Sequence, residues 1–359
     1  MSTDKERKEL AAAITLHAPM LAEAATDLQY ARQPGVWEPF GERGRALSVR
    51  DLRYHLPFLA SSIASDAPEL FAGYIAWARI LFERLGFADE ATVVMLGCMR
   101  DAIVAGLPGN AGAAVVPFVQ AGLTEMQSRP RPVASFVADN GRPMRELARL
   151  YLDALLRADR VVATRLVLEL VERGADLRDV FLYVLQDVQR EVGRLWFTNQ
   201  ISVAKEHYCT AVTQQVIALM YPRIMATPKT GRKIVIACAA GEIHEVGARM
   251  VADFFELGGW DAIYLGRDTP ASALADAVRE HAPDVLGISA NMAFNFPAVR
   301  EGIDAARKAD RTGRLKVLAG GYQFNIHPEL WRTSGADGCA DDARGAVAQA
   351  EALAAGAHG

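Results

Sequence analysis

Residues 233–247 read KIVIACAAGEIHEVG, and this stretch decides the architecture of the C-terminal third. KIVIACAA (233–240) is a short apolar run of the kind that forms a strand buried on both faces. It passes directly into Gly241-Glu242-Ile243-His244-Glu245-Val246-Gly247, after which the apolar residues recur at helical spacing. Further short apolar runs follow at Asp261–Leu265, Asp284–Ser289, Lys316–Ala319 and Gly338–Ala340. Amphipathic segments lie between and after them, near 246–257, 271–281, 297–309 and 343–354. This β–α alternation predicts a doubly wound parallel sheet over 231–356. Ligands of such sheets bind at the carboxyl ends of the strands, and Glu242, His244 and Gly247 fall in the first of those loops.

A neutral imidazole is a common nitrogen ligand for transition metals. Its second ring nitrogen needs an orienting acceptor, and Glu242 stands two residues upstream to supply one. Gly247 leaves room for close approach. Taken alone, a loop histidine of this kind is as readily a solvated side chain. The wider spacing adds to it: forty-one residues separate Gly247 from Ser289, and twenty-eight separate Asn291 from the pair Gly320-Gly321. This pattern resembles the cobalamin-binding signature of B12-dependent methionine synthases, mutases and corrinoid proteins. The resemblance implies that His244 is the lower ligand to cobalt and that Ser289, Gly320 and Gly321 line a slot for the nucleotide tail of the cofactor. Glu242 replaces the usual Asp, and Asn291 replaces the usual Leu or Thr.

Upstream, residues 141–226 carry apolar positions at helical spacing in four segments. These are Leu147-Tyr151-Leu155, Val162-Leu166-Leu170, Val180-Val184-Val188-Leu195 and, from near Ser202, Val212-Val216-Leu219. An antiparallel four-helix bundle is expected, with bends near Gly174 and Gly193. The bundle contains Trp196, nine residues, then Glu206-His207. A bundle-core tryptophan and a solvated Glu-His pair would account for these residues alone. GRLWFTNQISVAKEHYCTA nevertheless resembles the helical domain of the B12-dependent photoreceptor repressors of carotenoid genes. That resemblance implies that Trp196, Glu206 and His207 cover the upper face of adenosylcobalamin. Phe197 stands where those repressors place a cobalt-binding histidine, and their DNA-binding domain has no counterpart here.

Residues 1–140 form a third region. SRPRP (128–132) and NGRP (140–143) mark a joint after it, and TPKTGR (227–232) a linker before the sheet. Ser48 and Asp51 suggest a capping box opening a helix near Val49, and Pro68 opens an amphipathic run from Leu70 to Leu85 that Gly86 ends. The region resembles the globin-like, bilin-holding domain of the photocobilins. The resemblance implies biliverdin as a second chromophore, with Arg53, His55 and Arg100 as candidate contacts, since guanidinium pairs well with carboxylates. Tyr54, Phe58, Phe71, Trp77 and Phe82, with Arg79, are candidates for the pocket wall. The same aromatics serve equally as an ordinary core.

The composition is that of an ordinary globular protein. A net charge of −4 offers no basic stripe for nucleic acid. The charged opening MSTDKERKEL lacks the apolar centre of a signal peptide. The apolar stretch 102–123 is interrupted by Pro108 and Pro117 and does not suit a membrane span. The four cysteines lack metal or disulfide spacing. Together these features suggest a reduced, cytoplasmic setting. The expectation is a non-enzymatic light sensor, changing its homo-oligomeric assembly on illumination and signalling to a partner protein. The alternatives are a corrinoid carrier of a methyltransferase system and a haem-binding redox sensor on the same fold.

Overall fold

The computed structural model describes residues 3–109, 111–129, 133–138 and 141–356. The chain divides into two compact units, Met1–Arg131 and Pro132–Gly359.

The first unit is helical, with α1 (Asp4–Leu16), α2 (Ala18–Arg32), a short α3 (Pro34–Trp37), α4 (Gly41–Ser65), α5 (Pro68–Arg84), α6 (Asp89–Gly106) and α7 (Ala111–Gln127). A reciprocal capping box of Thr3 and Glu6 starts α1. The expected start near Val49 is wrong, because α4 begins at Gly41 and runs through Ser48. Arg45 pairs with Glu23 and Asp27 on α2 at 2.9 and 2.6 Å, tying down the extra turns. Pro68 opens α5 as expected, and the Gly86 turn closes it with Phe87 N–H donating to the Phe82 carbonyl.

The second unit joins the bundle to the sheet. Its helices are α8 (Arg145–Leu156), α9 (Arg160–Glu172), α10 (Leu177–Val180), α11 (Asp187–Phe197) and α12 (Val203–Ile224). Asp159 and Ser202 cap α9 and α12 through their side chains. Between α10 and α11 the chain stays helical as a π segment, Phe181–Gln186, whose Phe181, Leu182, Val184 and Leu185 are buried. Gly174 marks a turn with φ +91°. Gly193 does not; it lies within α11, where the buried Val188, Val192 and Leu195 outweigh the ~1 kcal/mol helix penalty of one glycine.

The sheet contains β1 (Lys233–Ala239), β2 (Asp261–Thr269), β3 (Val285–Ser289), β4 (Lys316–Gly320) and β5 (Gly338–Cys339), all parallel in the order β2-β1-β3-β4-β5. It is flanked by α13 (Val246–Leu257), α14 (Ala271–His281), α15 (Phe296–Ala309) and α18 (Ala343–Gly356), with short α16 (Tyr322–Ile326) and α17 (Leu330–Ser334) after β4. The strand order reverses direction between β1 and β3, a topological switch point with a crevice at its carboxyl end. The register pairs Cys238 with Ser289 and Ser289 with Gly320, so three strand ends finish level beneath that crevice.

The bundle core continues into the sheet domain: Met250 and Phe254 of α13 pack with Val171, Phe181, Val216 and Ile224 in one buried cluster. Arg178 donates to the carbonyl of Leu257, and Arg344 pairs with Asp179 at 2.7 Å. The expected linker is also pinned, with Thr230 N–H donating to Gly259 O at 2.7 Å.

Candidate functional site

The loop after β1 is organised by Glu242, whose side chain is fully buried. Its Oε1 accepts from the backbone N–H of His244 at 2.9 Å and is 2.6 Å from His244 Nδ1. Its Oε2 accepts from the N–H groups of Asn291 and Met292 at 2.7 and 3.0 Å and from Asn295 Nδ2 at 3.1 Å. Burial pushes this carboxyl up, but the hydrogen bonds and charge of His244 and the Asn291 N–H outweigh it, leaving it lowered to about 2. It is therefore an anion. The hydrogen bond that His244 donates to Glu242 raises the His244 pKa against burial, and the charges of Glu242 and Glu206 add to the rise.

This arrangement commits Nδ1 of His244 to Glu242, so that Nε2 is the ring nitrogen left to ligate. The imidazole side chain is about half exposed (55%), at the level strand ends. A Cβ added at Gly247 or at Gly320 would meet nothing within 4 Å, so open space adjoins both. Gly321 is different: its φ is +103°, and a Cβ there would lie 2.4 Å from the Ala290 carbonyl oxygen. Only glycine fits.

From the bundle, α12 brings Glu206 to within electrostatic reach of His244. Glu206 Oε1 accepts from Thr210 Oγ1 at 2.9 Å, and its Oε2 lies 2.5 Å from His207 Nδ1. His207 points largely into solvent. Thr210 Oγ1 also lies 3.0 Å from Gln189 Oε1, while Gln189 Nε2 donates to Thr213 Oγ1 at 2.7 Å and Thr213 Oγ1 meets Tyr151 Oη at 2.9 Å. A polar seam thus runs from the bundle core to Glu206. Trp196 closes α11 and is 37% exposed. Gln214 of α12 reaches Glu245 beside the histidine loop at 3.4 Å.

Glu242, His244, Ser289, Gly320 and Gly321 therefore come together at one crevice, with Glu206 facing it. The sequence offers Asn291 only as a departure within the spacing pattern, and it gives no signal for Asn295, Thr210 or Gln189, which follow no spacing rule. Among the described residues, no group of three or more His, Cys, Asp or Glu is disposed to hold a bare metal ion. A single braced imidazole suits a metal that arrives with its other ligands already in place.

In the N-terminal unit, the three bilin candidates separate. Arg53 is exposed, and Arg100 pairs with Asp101 at 2.8 Å. His55 is buried, its Nδ1 against Tyr74 Oη, and its Nε2 has no hydrogen-bond partner among the described residues. Tyr54, expected to line a pocket, is exposed; Arg79 is buried but already bound to Asp89 and to the Ser128 carbonyl. Phe58 and Phe71 belong to the core.

Such a crevice, a carboxylate-braced histidine at the switch point of a parallel sheet joined to a helical bundle, defines a B12-binding class of protein. The family description "B12 binding domain" matches twice, over residues 147–221 and 232–351. Dimethylamine corrinoid protein 2 of Methanosarcina mazei is 30% identical over 164 residues, covering 45% of this chain and 73% of its own. The chain belongs to this family of B12-binding corrinoid proteins. The HTH-type transcriptional repressor CarA of Myxococcus xanthus is 33% identical over 131 residues, 36% of this chain and 43% of the repressor. The fold of the monomethylamine corrinoid protein of Methanosarcina barkeri superposes with a TM-score of 0.52 at 19% identity, covering 58% of this chain and 99% of that one. Among the described residues, no helix is long and apolar enough to cross a membrane.

Proposed function

We propose that this chain acts as a corrinoid carrier, holding cobalamin on His244 and presenting its upper face to a methyltransferase partner. The observation that carries the reading is the accessibility of His244, whose side chain is about half exposed. Glu206 approaches it, while Trp196 and His207 at the same end of the bundle remain solvent-accessible. The similarity to dimethylamine corrinoid proteins supports the same reading. The cobalt of the bound cofactor would supply a centre that accepts and gives up a methyl group. This chain's part is to hold the imidazole through Glu242, admit the tail beside Ser289 and Gly320-Gly321, and leave the upper side accessible to a partner.

A second reading, a light sensor holding adenosylcobalamin, is favoured by Trp196 with Glu206-His207 and by the similarity to the CarA repressor. In that reading the adenosyl form supplies a light-labile bond, and repacking around Trp196 changes the assembly of the protein. Biliverdin, and with it the likeness to photocobilins, belongs to this reading too. It is favoured by the unpartnered Nε2 of buried His55 beside Tyr74 and Phe82.

One experiment separates the readings. The full chain is loaded in the dark with methylcobalamin or adenosylcobalamin, then followed by absorbance and size-exclusion with a thiol acceptor and under green light. A carrier holds the methyl form, loses it to the thiol faster than free methylcobalamin does, and keeps its elution volume in light. A sensor retains the adenosyl form and shifts its elution on illumination. Titration of biliverdin, read in the far red, tests the second chromophore.

A further inference from the structure

We propose that Asn291 is a positioning residue that fastens the His244 loop to the rim of the tail crevice, so that the chain selects complete corrinoids over tail-less ones. The inference rests on the reading that cobalamin binds through His244 with its nucleotide tail beside Ser289 and Gly320.

Asn291 follows β3 by two residues and makes four hydrogen bonds, to both loops that border the crevice. Its backbone N–H donates to Glu242 Oε2 at 2.7 Å, and its Nδ2 donates to the His244 carbonyl at 3.1 Å. Its Oδ1 accepts from the Tyr322 N–H at 2.9 Å, and its carbonyl accepts from Gln323 Nε2 at 2.9 Å. The amide side chain is the part that joins the two loops, because one end holds the histidine loop and the other the segment after Gly321. Leucine would make neither bond, and threonine has a single short hydroxyl in place of an amide with a donor at one end and an acceptor at the other.

The rim it holds is stiff. Gly321 packs directly against the Ala290 backbone, leaving no space for even a methyl group, and Ala290 N–H donates to the Gly320 carbonyl at 2.9 Å. Gly320 faces open space. A ligand segment lying over Gly320 therefore touches a loop that is tied, through one side chain, to the backbone of His244. Tail contact and histidine placement are then linked, and each strengthens the other. A corrinoid without the nucleotide loses the first and gains less from the second.

The test is a two-by-two binding cycle on the full chain. Dissociation constants are measured for aquocobalamin and for diaquocobinamide, which lacks the tail, in wild type and in Asn291→Leu. Asn291→Thr is the second variant should Leu impair folding, with circular dichroism and thermal melting of each cofactor-free protein as the check. In wild type the preference for cobalamin should exceed that of either variant by about fivefold or more, the scale set by two hydrogen bonds. The imidazole-ligated spectrum of bound cobalamin should also give way in part to a water-ligated one. An unchanged preference overturns the proposal, whether the variants bind as wild type does or weaken both ligands equally. Wild type that binds neither corrinoid overturns the cobalamin reading itself instead.

Discussion

Glu242 and His244 are joined twice through one atom: Oε1 of the buried glutamate accepts from the histidine backbone N–H at 2.9 Å and lies 2.6 Å from its Nδ1. The first contact fixes the loop and the second fixes the ring, so backbone and side chain cannot move independently. The other oxygen takes three further donors, which is how a fully buried carboxylate stays charged.

Removing His244 should spare the fold, because its side chain is half exposed and Glu242 keeps the other donors. His244→Ala is expected to bind cobalamin at least tenfold more weakly and to show a water-ligated spectrum. Glu242→Gln should do more harm. Its amide has only one oxygen for five donors, and its own hydrogens would face N–H groups. A loss of about 1–3 kcal/mol in urea unfolding is expected alongside weaker binding. A spectrum of His244→Ala identical to wild type would remove that residue as the lower ligand.

Trp196 tests the roof of the site. Trp196→Ala should leave aquocobalamin affinity within about threefold, because His244, the proposed lower ligand, and the crevice are untouched. Its discrimination between adenosyl- and methylcobalamin should shrink as a large ring is lost. Affinities for the alkyl forms measured in darkness decide this. If the ratio stays as in wild type, Trp196 is only a bundle residue.

Thr210 is the last link between Glu206 and the polar seam leading to Tyr151. Thr210→Val keeps the shape and removes the hydroxyl, so the cost to thermal stability should be small, about 1 kcal/mol. The alkylcobalamin preference should nevertheless move in the same direction as in Glu206→Gln. Additive effects in the double variant would mean that Thr210 does not act through Glu206.

The sheet was legible because each strand is a continuous apolar run between turn signals, and because the histidine loop is local in sequence. The five strands were located to within a few residues, β2 being longer than expected. Long-range partners were not legible. Asn291 reaches both loops only because β1, β3 and β4 end level, a fact of register rather than spacing. The π segment was hidden for a related reason, since its apolar positions still recur near helical spacing. In the N-terminal unit, local signals misled. Ser48 looks like a helix cap, but α4 starts at Gly41 and runs through it, with Arg45 of the added turns paired to α2. Tyr54 and Phe58 are four apart, as neighbours on one helix face are, yet one is exposed and the other buried.

His55 gives a prediction that needs no cofactor. Burial alone pushes its pKa down to about 4 from an ordinary 6.5, so the native state holds it neutral. Between those values the unfolded chain binds the extra proton and the folded chain does not. Stability is therefore complete above pH 6.5 and falls progressively as the pH drops toward 4, where about 3 kcal/mol would be lost from this group. The titrating ring contacts Tyr74, whose own pKa is raised above the ordinary range by burial, so that neighbour stays neutral throughout. His55→Phe removes the group while keeping an aromatic ring beside Phe82. Urea unfolding of wild type and variant at pH 7.5 and pH 5 should show a larger acid-induced loss in wild type by 1 kcal/mol or more. Equal losses in the two proteins would mean that His55 is protonated, or reached by water, in the native fold.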